Sequence, residues 1–158
     1  ISEGIIDFGG IPEIAAKNGF DKKSEFHITV VGFKNGTTIK EALEKLPKHE
    51  KDKALEQIRS AIARMNWSFT FLPQKYHITK TYMSRAGAEH RESYIQMVSM
   101  PDVMIFYDTL NNILGTRLEL QPPHLTLYTS GDDRERAKAG IGINSQEEFL
   151  KFNPELLT

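Results

Sequence analysis

Phe26-His27-Ile28-Thr29-Val30-Val31 reads as a short β-strand, and its alternation decides how the rest of the chain is understood. Successive strand side chains point to opposite faces. His27 and Thr29 therefore share one face, with Phe26, Ile28 and Val30 on the other. Far downstream, Pro122-Pro123-His124-Leu125-Thr126-Leu127-Tyr128-Thr129 repeats the pattern. There His124, Thr126 and Tyr128 are expected on one face and Leu125 and Leu127 on the other. Two apolar-backed strands, each presenting an imidazole and a hydroxyl, read as two halves of one site.

Composition narrows the chemistry around that pair. A chain of 158 residues with 39% hydrophobic and 26% charged content is sized for one domain with a real core. Its 20 basic residues against 21 acidic ones give a net charge of −1, which excludes a general nucleic-acid coat with a broad basic face. A small phosphorylated ligand in a local pocket is compatible with it. The absence of cysteine removes disulfides, thiolate metal ligands and a cysteine nucleophile. No run approaches the eighteen or so apolar residues of a membrane span. No stretch has the make-up of a signal peptide, although a start at Ile1 rather than Met leaves room for a removed leader. A soluble, cytoplasmic monomer with no membrane or stable protein partner is the expectation.

Outward from the first motif, Pro12 and Gly19 bracket a short helix over Glu13 to Lys17. Lys34-Asn35-Gly36 reads as a turn, and Thr38 with Glu41 makes a capping box for a helix over Ile39 to Leu46. A second helix is expected from His49 to Met65, with Ala54, Leu55, Ile58, Ala61, Ile62 and Met65 at the spacing of one buried face. Trp67 to Leu72 and Tyr76 to Met83 read as two strands separated by a turn at Pro73-Gln74. Trp67 is assigned to the core, Ser84 to Glu92 to a polar loop and Ser93 to Ser99 to a third strand.

After Pro101, a stripe of Val103, Met104, Tyr107, Leu110 and Leu114 predicts a helix ending at Gly115. Beyond Gly131 lie a helix candidate over Asp132 to Ala139, a Gly-Ile-Gly-Ile link, and a capping box of Ser145 with Glu148 opening a helix over Gln146 to Phe152. Strands and helices mix without strict alternation, so the class is α+β. The order suggests two pseudo-symmetric lobes of antiparallel sheet with flanking helices around a central groove. Residues 1–158 are taken as a single bilobed domain with a C-terminal extension from about Gly131.

Phosphodiester cleavage needs a base for the attacking oxygen, an acid for the leaving oxygen and donors for the non-bridging oxygens. Histidine fills either proton role near neutral pH because its ordinary pKa is about 6.5. A threonine two residues along lies on the same face, roughly 7 Å away, and its hydroxyl donates to a phosphate oxygen. One H-x-T triplet is weak as a signal; two in matching strand contexts are far more specific. His77 and Thr79 form a third copy, open to three readings: a replacement for the first motif, a substrate contact in the same groove, or a polar face of an edge strand. The lysines around it suit an edge, and His27 with His124 is taken as the catalytic pair. Tyr76, Tyr82, Tyr128 and Arg85 are candidate base contacts through stacking and forked hydrogen bonds.

The paired motifs His27-Ile28-Thr29-Val30 and His124-Leu125-Thr126-Leu127 resemble those of the two-histidine (2H) phosphoesterase superfamily, over about Glu25 to Tyr128. The resemblance implies metal-independent cleavage of a 2′,3′-cyclic or 2′-5′ phosphodiester in a nucleotide or short RNA end, with no cofactor. His27 and His124 would be acid and base in either order, with Thr29 and Thr126 on the phosphate; the strand faces, and not the resemblance, add His77 and Tyr128 as expected substrate contacts. RNA-end ligation at the same site and a non-catalytic nucleotide-binding module stand as alternatives. A zinc trio of His27, His77 and His124 is a third, against which no two of these residues are close in sequence.

Overall fold

The computed structural model describes residues 1–157, and its spine is a long hairpin. Strand β2 (Thr70–Ser84) and strand β3 (Gly87–Ser99) pair antiparallel from Thr70↔Ser99 out to Ser84↔Gly87. β2 is rich in the β-branched and aromatic residues that suit a pleated surface, and β3 has Tyr94, Ile95 and Val98 in its buried half. Only Arg85 and Ala86 separate the last pair, and Gly87 takes a φ of 116° that favours glycine. The stretch Ser84 to Glu92, expected as a polar loop, is therefore mostly strand. Its polarity reflects an arm that runs past the neighbouring strands into solvent. Nor does the chain turn at Pro73. Proline lacks the N–H that a ladder needs, and β2 answers with a register shift between Phe71 and Lys75 instead of breaking.

Three further strands complete one sheet: β1 (Asp21–Lys22), β4 (His124–Gly131) and β5 (Glu155–Leu157), in the order β1-β4-β3-β2-β5 with every pairing antiparallel. Helices flank it: α1 (Ile11–Lys17), α2 (Phe33–Glu44), α3 (Lys48–Arg64), α4 (Val103–Leu114), α5 (Arg134–Ala137) and α6 (Gln146–Leu150). The α+β class holds, and the strands form one open sheet. No helix among the described residues is long and apolar enough to cross a membrane.

Each face of the sheet has its own core. Tyr94, Val98, Leu125, Leu127 and Tyr128 join Phe106, Tyr107 and Leu110 of α4 on one side. On the other, Ile78 and Ile95 are covered by Ile141, Ile143, Phe149 and Phe152 of the C-terminal segment. The α4 stripe follows the expected spacing with one exchange: Phe106 is buried and Met104 is 59% exposed. Gly115 ends that helix with a φ of 63°. Ser145 caps α6 as expected, its Oγ accepting from the Glu148 amide at 3.1 Å, but the Glu148 carboxylate accepts from the Asn144 amide at 2.9 Å and the helix ends at Leu150, before the expected Phe152. The helix after Asp132 is shorter than expected and is capped by Asp133.

Helix α2 begins six residues earlier than its capping-box signature, at Phe33 rather than Ile39. Asn35, expected in a turn, is buried instead. Its Nδ2 donates to Tyr107 Oη at 3.1 Å and to the Glu119 carbonyl at 3.0 Å. Tyr107 Oη in turn donates to the Val30 carbonyl at 2.7 Å. Tertiary hydrogen bonds outweigh local turn propensity here, and Thr38 Oγ bonds back to the Lys34 carbonyl instead of capping. Replacing Asn35 with Ala should lower the unfolding free energy by about 1–3 kcal/mol, the cost of leaving buried partners unpaired. Urea denaturation measures it, and a loss below about 0.5 kcal/mol contradicts this role.

Candidate active site

The first motif sits in an extended segment that is not a regular strand. Its one ladder contact is an isolated antiparallel bridge between Ile28 and Leu125. Side-chain hydrogen bonds do the remaining work. Gln121, itself buried, donates from Nε2 to the Thr29 carbonyl at 2.6 Å and accepts from the Gly32 amide at 2.7 Å. A Cβ on Gly32 would lie 2.7 Å from Gln121 Oε1, so glycine is what lets this clamp close. The expected strand over Phe26 to Val31 is thus an arm pinned by one bridge, one glutamine, the hydroxyl of Tyr107 and, at its start, the Ile1 nitrogen on the Phe26 carbonyl at 2.8 Å.

That bridge sets the geometry of the site. Ile28 and Leu125 pack toward the α4 side, so the residues flanking each project to the opposite face. The antiparallel register puts His27 across from Thr126 and Thr29 across from His124. All four line one cavity of about 450 Å³. The two motifs are related by an approximate two-fold about the bridge, and the expected convergence of His27, Thr29, His124 and Thr126 is what the fold produces.

The two imidazoles occupy different environments. His27 is exposed, whereas His124 is 7% exposed, with Nδ1 2.8 Å from the Pro122 carbonyl. That carbonyl can only accept, so Nδ1 carries the proton and Nε2 of the neutral ring keeps its lone pair. Burial holds the His124 pKa below the ordinary histidine value, and positive charge on His27 pushes it the same way, against the Pro122 hydrogen bond.

Four cations and one acid complete the charged lining: Lys23, Lys34, Lys80 and Arg91 against Glu25. Lys80 is held by Glu148 at 3.0 Å and Arg91 by Glu89 at 2.6 Å. Lys34 is exposed and has no carboxylate partner among the described residues. Lys80 and Arg91 are thus offset by their carboxylates, and Lys23 and Lys34 supply the positive charge left for a ligand.

The segment after Gly131, for which the sequence offered no place, forms a wall of this cavity. Ile141 and Ile143 are buried against the sheet while Gly140 and Gly142 line the opening. Gly140 has a φ of 79°, and a Cβ there would stand 3.4 Å from Thr126 Oγ1. The alternating Gly-Ile-Gly-Ile pattern was the available signal for an apolar-in, backbone-out wall. Gln121 carried no comparable signal, because its burial arises only when the arm docks.

Two expected contacts lie elsewhere. Opposite Tyr94 and Ile95, β4 carries an extra residue: Tyr128 pairs with Tyr94 and Thr126 with Ile95. This bulge at Leu127 reverses the alternation. Tyr128 therefore packs in the α4-side core, 6.2 Å from Phe8, and not beside His124. His77 is also on the far face, in a separate cleft, with Nε2 2.7 Å from Glu92 and its ring 5.2 Å from Tyr94. It neither replaces His27 nor lines the groove, and the zinc trio does not converge. Among the described residues no three His, Asp or Glu side chains are grouped to hold a metal. Of the other aromatics, Tyr82 lines the cavity, Tyr76 packs on Phe149 and Trp67 packs on Phe106 in the core. Arg85 is at the exposed hairpin tip.

No family model matches the chain, and no match was found among curated proteins or solved structures.

The lowered His124 pKa fixes the sign of a stability prediction. Below about pH 6.5 the unfolded chain binds the His124 proton more readily than the folded one, so this histidine weakens folding progressively as pH falls from there through the folded pKa. Relative to His124→Gln, wild type should lose stability over the pH range below about 6.5. The difference should be flat above that range. Denaturant melts at several pH values test this; a difference growing toward alkaline pH contradicts it.

Proposed function

We propose that the cavity is the active site of a metal-independent phosphodiesterase acting on a 2′,3′-cyclic or 2′-5′ phosphodiester of a nucleotide or RNA end. One observation carries the reading: both H-x-T motifs place their imidazole and hydroxyl around one cavity, on either side of the Ile28–Leu125 bridge. The paired motifs also resemble those of the 2H phosphoesterase superfamily. The volume of about 450 Å³ suits a nucleotide-sized ligand, and the cationic lining suits its phosphate.

In the hydrolytic direction His124 is the base. Its Nε2 lone pair takes a proton from water as the water oxygen attacks phosphorus. His27, protonated, gives its proton to the departing ribose oxygen as the P–O bond breaks. A cyclic phosphate becomes a phosphomonoester with a free hydroxyl, and the two rings exchange protonation states until solvent resets them. Thr29 and Thr126 donate hydrogen bonds to the non-bridging oxygens, where charge accumulates.

His27→Ala and His124→Ala should each lower kcat by about 10²–10⁴-fold on a responsive substrate. The substrate panel comprises 2′,3′-cyclic mononucleotides, 2′-5′ oligoadenylate, cyclic dinucleotides and ADP-ribose cyclic phosphate. His77→Ala should leave turnover within about twofold, since a group outside the site contributes no proton transfer. Because base action needs neutral His124, the acid limb of kcat/KM should fall below the ordinary histidine pKa of about 6.5. Undiminished turnover in either His→Ala variant defeats the reading. So does wild-type protein that binds these nucleotides and cleaves none of them, which would mark a binding module.

A further inference from the structure

The structure points to Phe33 as the platform on which a substrate nucleobase stacks, and we propose it as such. This rests on the phosphodiesterase reading and narrows its substrate class to base-bearing phosphodiesters. Phe33 is 93% exposed, the most exposed large hydrophobic side chain of the chain, and it lines the same cavity as His27 and His124. Single exposed apolar residues are ordinary on protein surfaces. This one stands at the rim of the cavity that holds both histidines, beside the exposed Lys34.

Its backbone is fixed although its ring is free. Phe33 opens α2 directly after Gly32, whose amide is held by Gln121 at 2.7 Å. Two residues on, Asn35 is buried and bonded to Tyr107 and Glu119. A ring presented from an anchored turn loses little freedom when a planar ligand settles on it.

The other aromatics near the cavity are engaged. Tyr82 carries Lys80 at 4.7 Å and Arg91 at 4.4 Å from its ring centre. Tyr76 is edge-on to Phe149, and Tyr128 is on the far face of the sheet. Phe33 alone offers an open π-face, and Lys34 beside it adds a cation without a carboxylate partner. An aromatic face next to a phosphate-binding charge is the pairing that recognises a nucleotide. Stacking reads ring area and not the hydrogen-bonding edge, so purines should be favoured over pyrimidines without strict base specificity.

The test compares wild type, Phe33→Ala and Phe33→Trp on adenosine 2′,3′-cyclic phosphate and on glycerol 1,2-cyclic phosphate, which lacks a base. Phe33→Ala should raise KM for the nucleotide about 5- to 150-fold and shrink its preference over the glycerol ester, while Phe33→Trp restores both. Thermal melts check that the exposed substitution leaves the fold intact. An unchanged nucleotide KM in Phe33→Ala, or an equal loss on both esters, overturns the platform. In either case cleavage that still depends on His27 and His124 would leave the phosphodiesterase reading standing. Should neither ester be turned over, binding of adenosine 2′-monophosphate decides the matter. Weaker binding to Phe33→Ala, with equal affinity for inorganic phosphate, supports the platform; equal nucleotide affinity, or none, overturns it.

Discussion

The antiparallel bridge between Ile28 and Leu125 determines whether this protein has one site or two unrelated polar patches. The Phe26 to Val31 arm has no ladder of its own, so its position depends on that contact and on hydrogen bonds with Gln121, Tyr107 and the Ile1 nitrogen. Each such bond to a buried backbone group contributes only about 0.5–1.5 kcal/mol net, but leaving the partner unpaired costs more. The arm is thus held mainly by the penalty for undocking it. Function inherits that constraint, because His27 and Thr29 move with the arm while His124 and Thr126 move with the central sheet.

Electrostatics follows from where each half sits. The second motif lies on a ladder strand with a core beneath it, so His124 is buried and held neutral with a defined tautomer. The first lies on an exposed arm, and His27 is open to solvent exchange. An approximate two-fold in the backbone therefore yields two chemically unequal imidazoles, an asymmetry that the proposed division into base and acid would use. The C-terminal segment adds the third wall. It is held by Ile141, Ile143, Phe149 and Phe152, and it brings the backbone of Gly140, whose φ of 79° favours glycine, against Thr126.

Much of this was legible in residue order, for physical reasons that also mark where legibility ended. Period-two alternation gave the face of His27, Thr29, His124 and Thr126 because it is a local property of extended chain. It failed at Tyr128 because a bulge at Leu127 is a property of two strands together, invisible in either. Apolar spacing gave α4, whereas α2 starts early through the tertiary bonds of Asn35. The polar run after Ser84 resembled a loop because strands that leave the sheet for solvent need no apolar face. Gln121 and Phe33 were passed over for opposite reasons. One is a polar residue made structural by docking; the other is an apolar residue that folding leaves exposed.

The central claim is that His27 and His124 face one phosphate. The most direct measurement is an NMR titration of the imidazole ¹H–¹⁵N resonances with inorganic phosphate and with adenosine 2′-monophosphate. The resonances of His27 and His124 should shift together along one saturation curve, while His77, paired with Glu92 on the far face, stays in place. Saturation of the two rings at different ligand concentrations, or a response confined to one of them, would contradict a shared site.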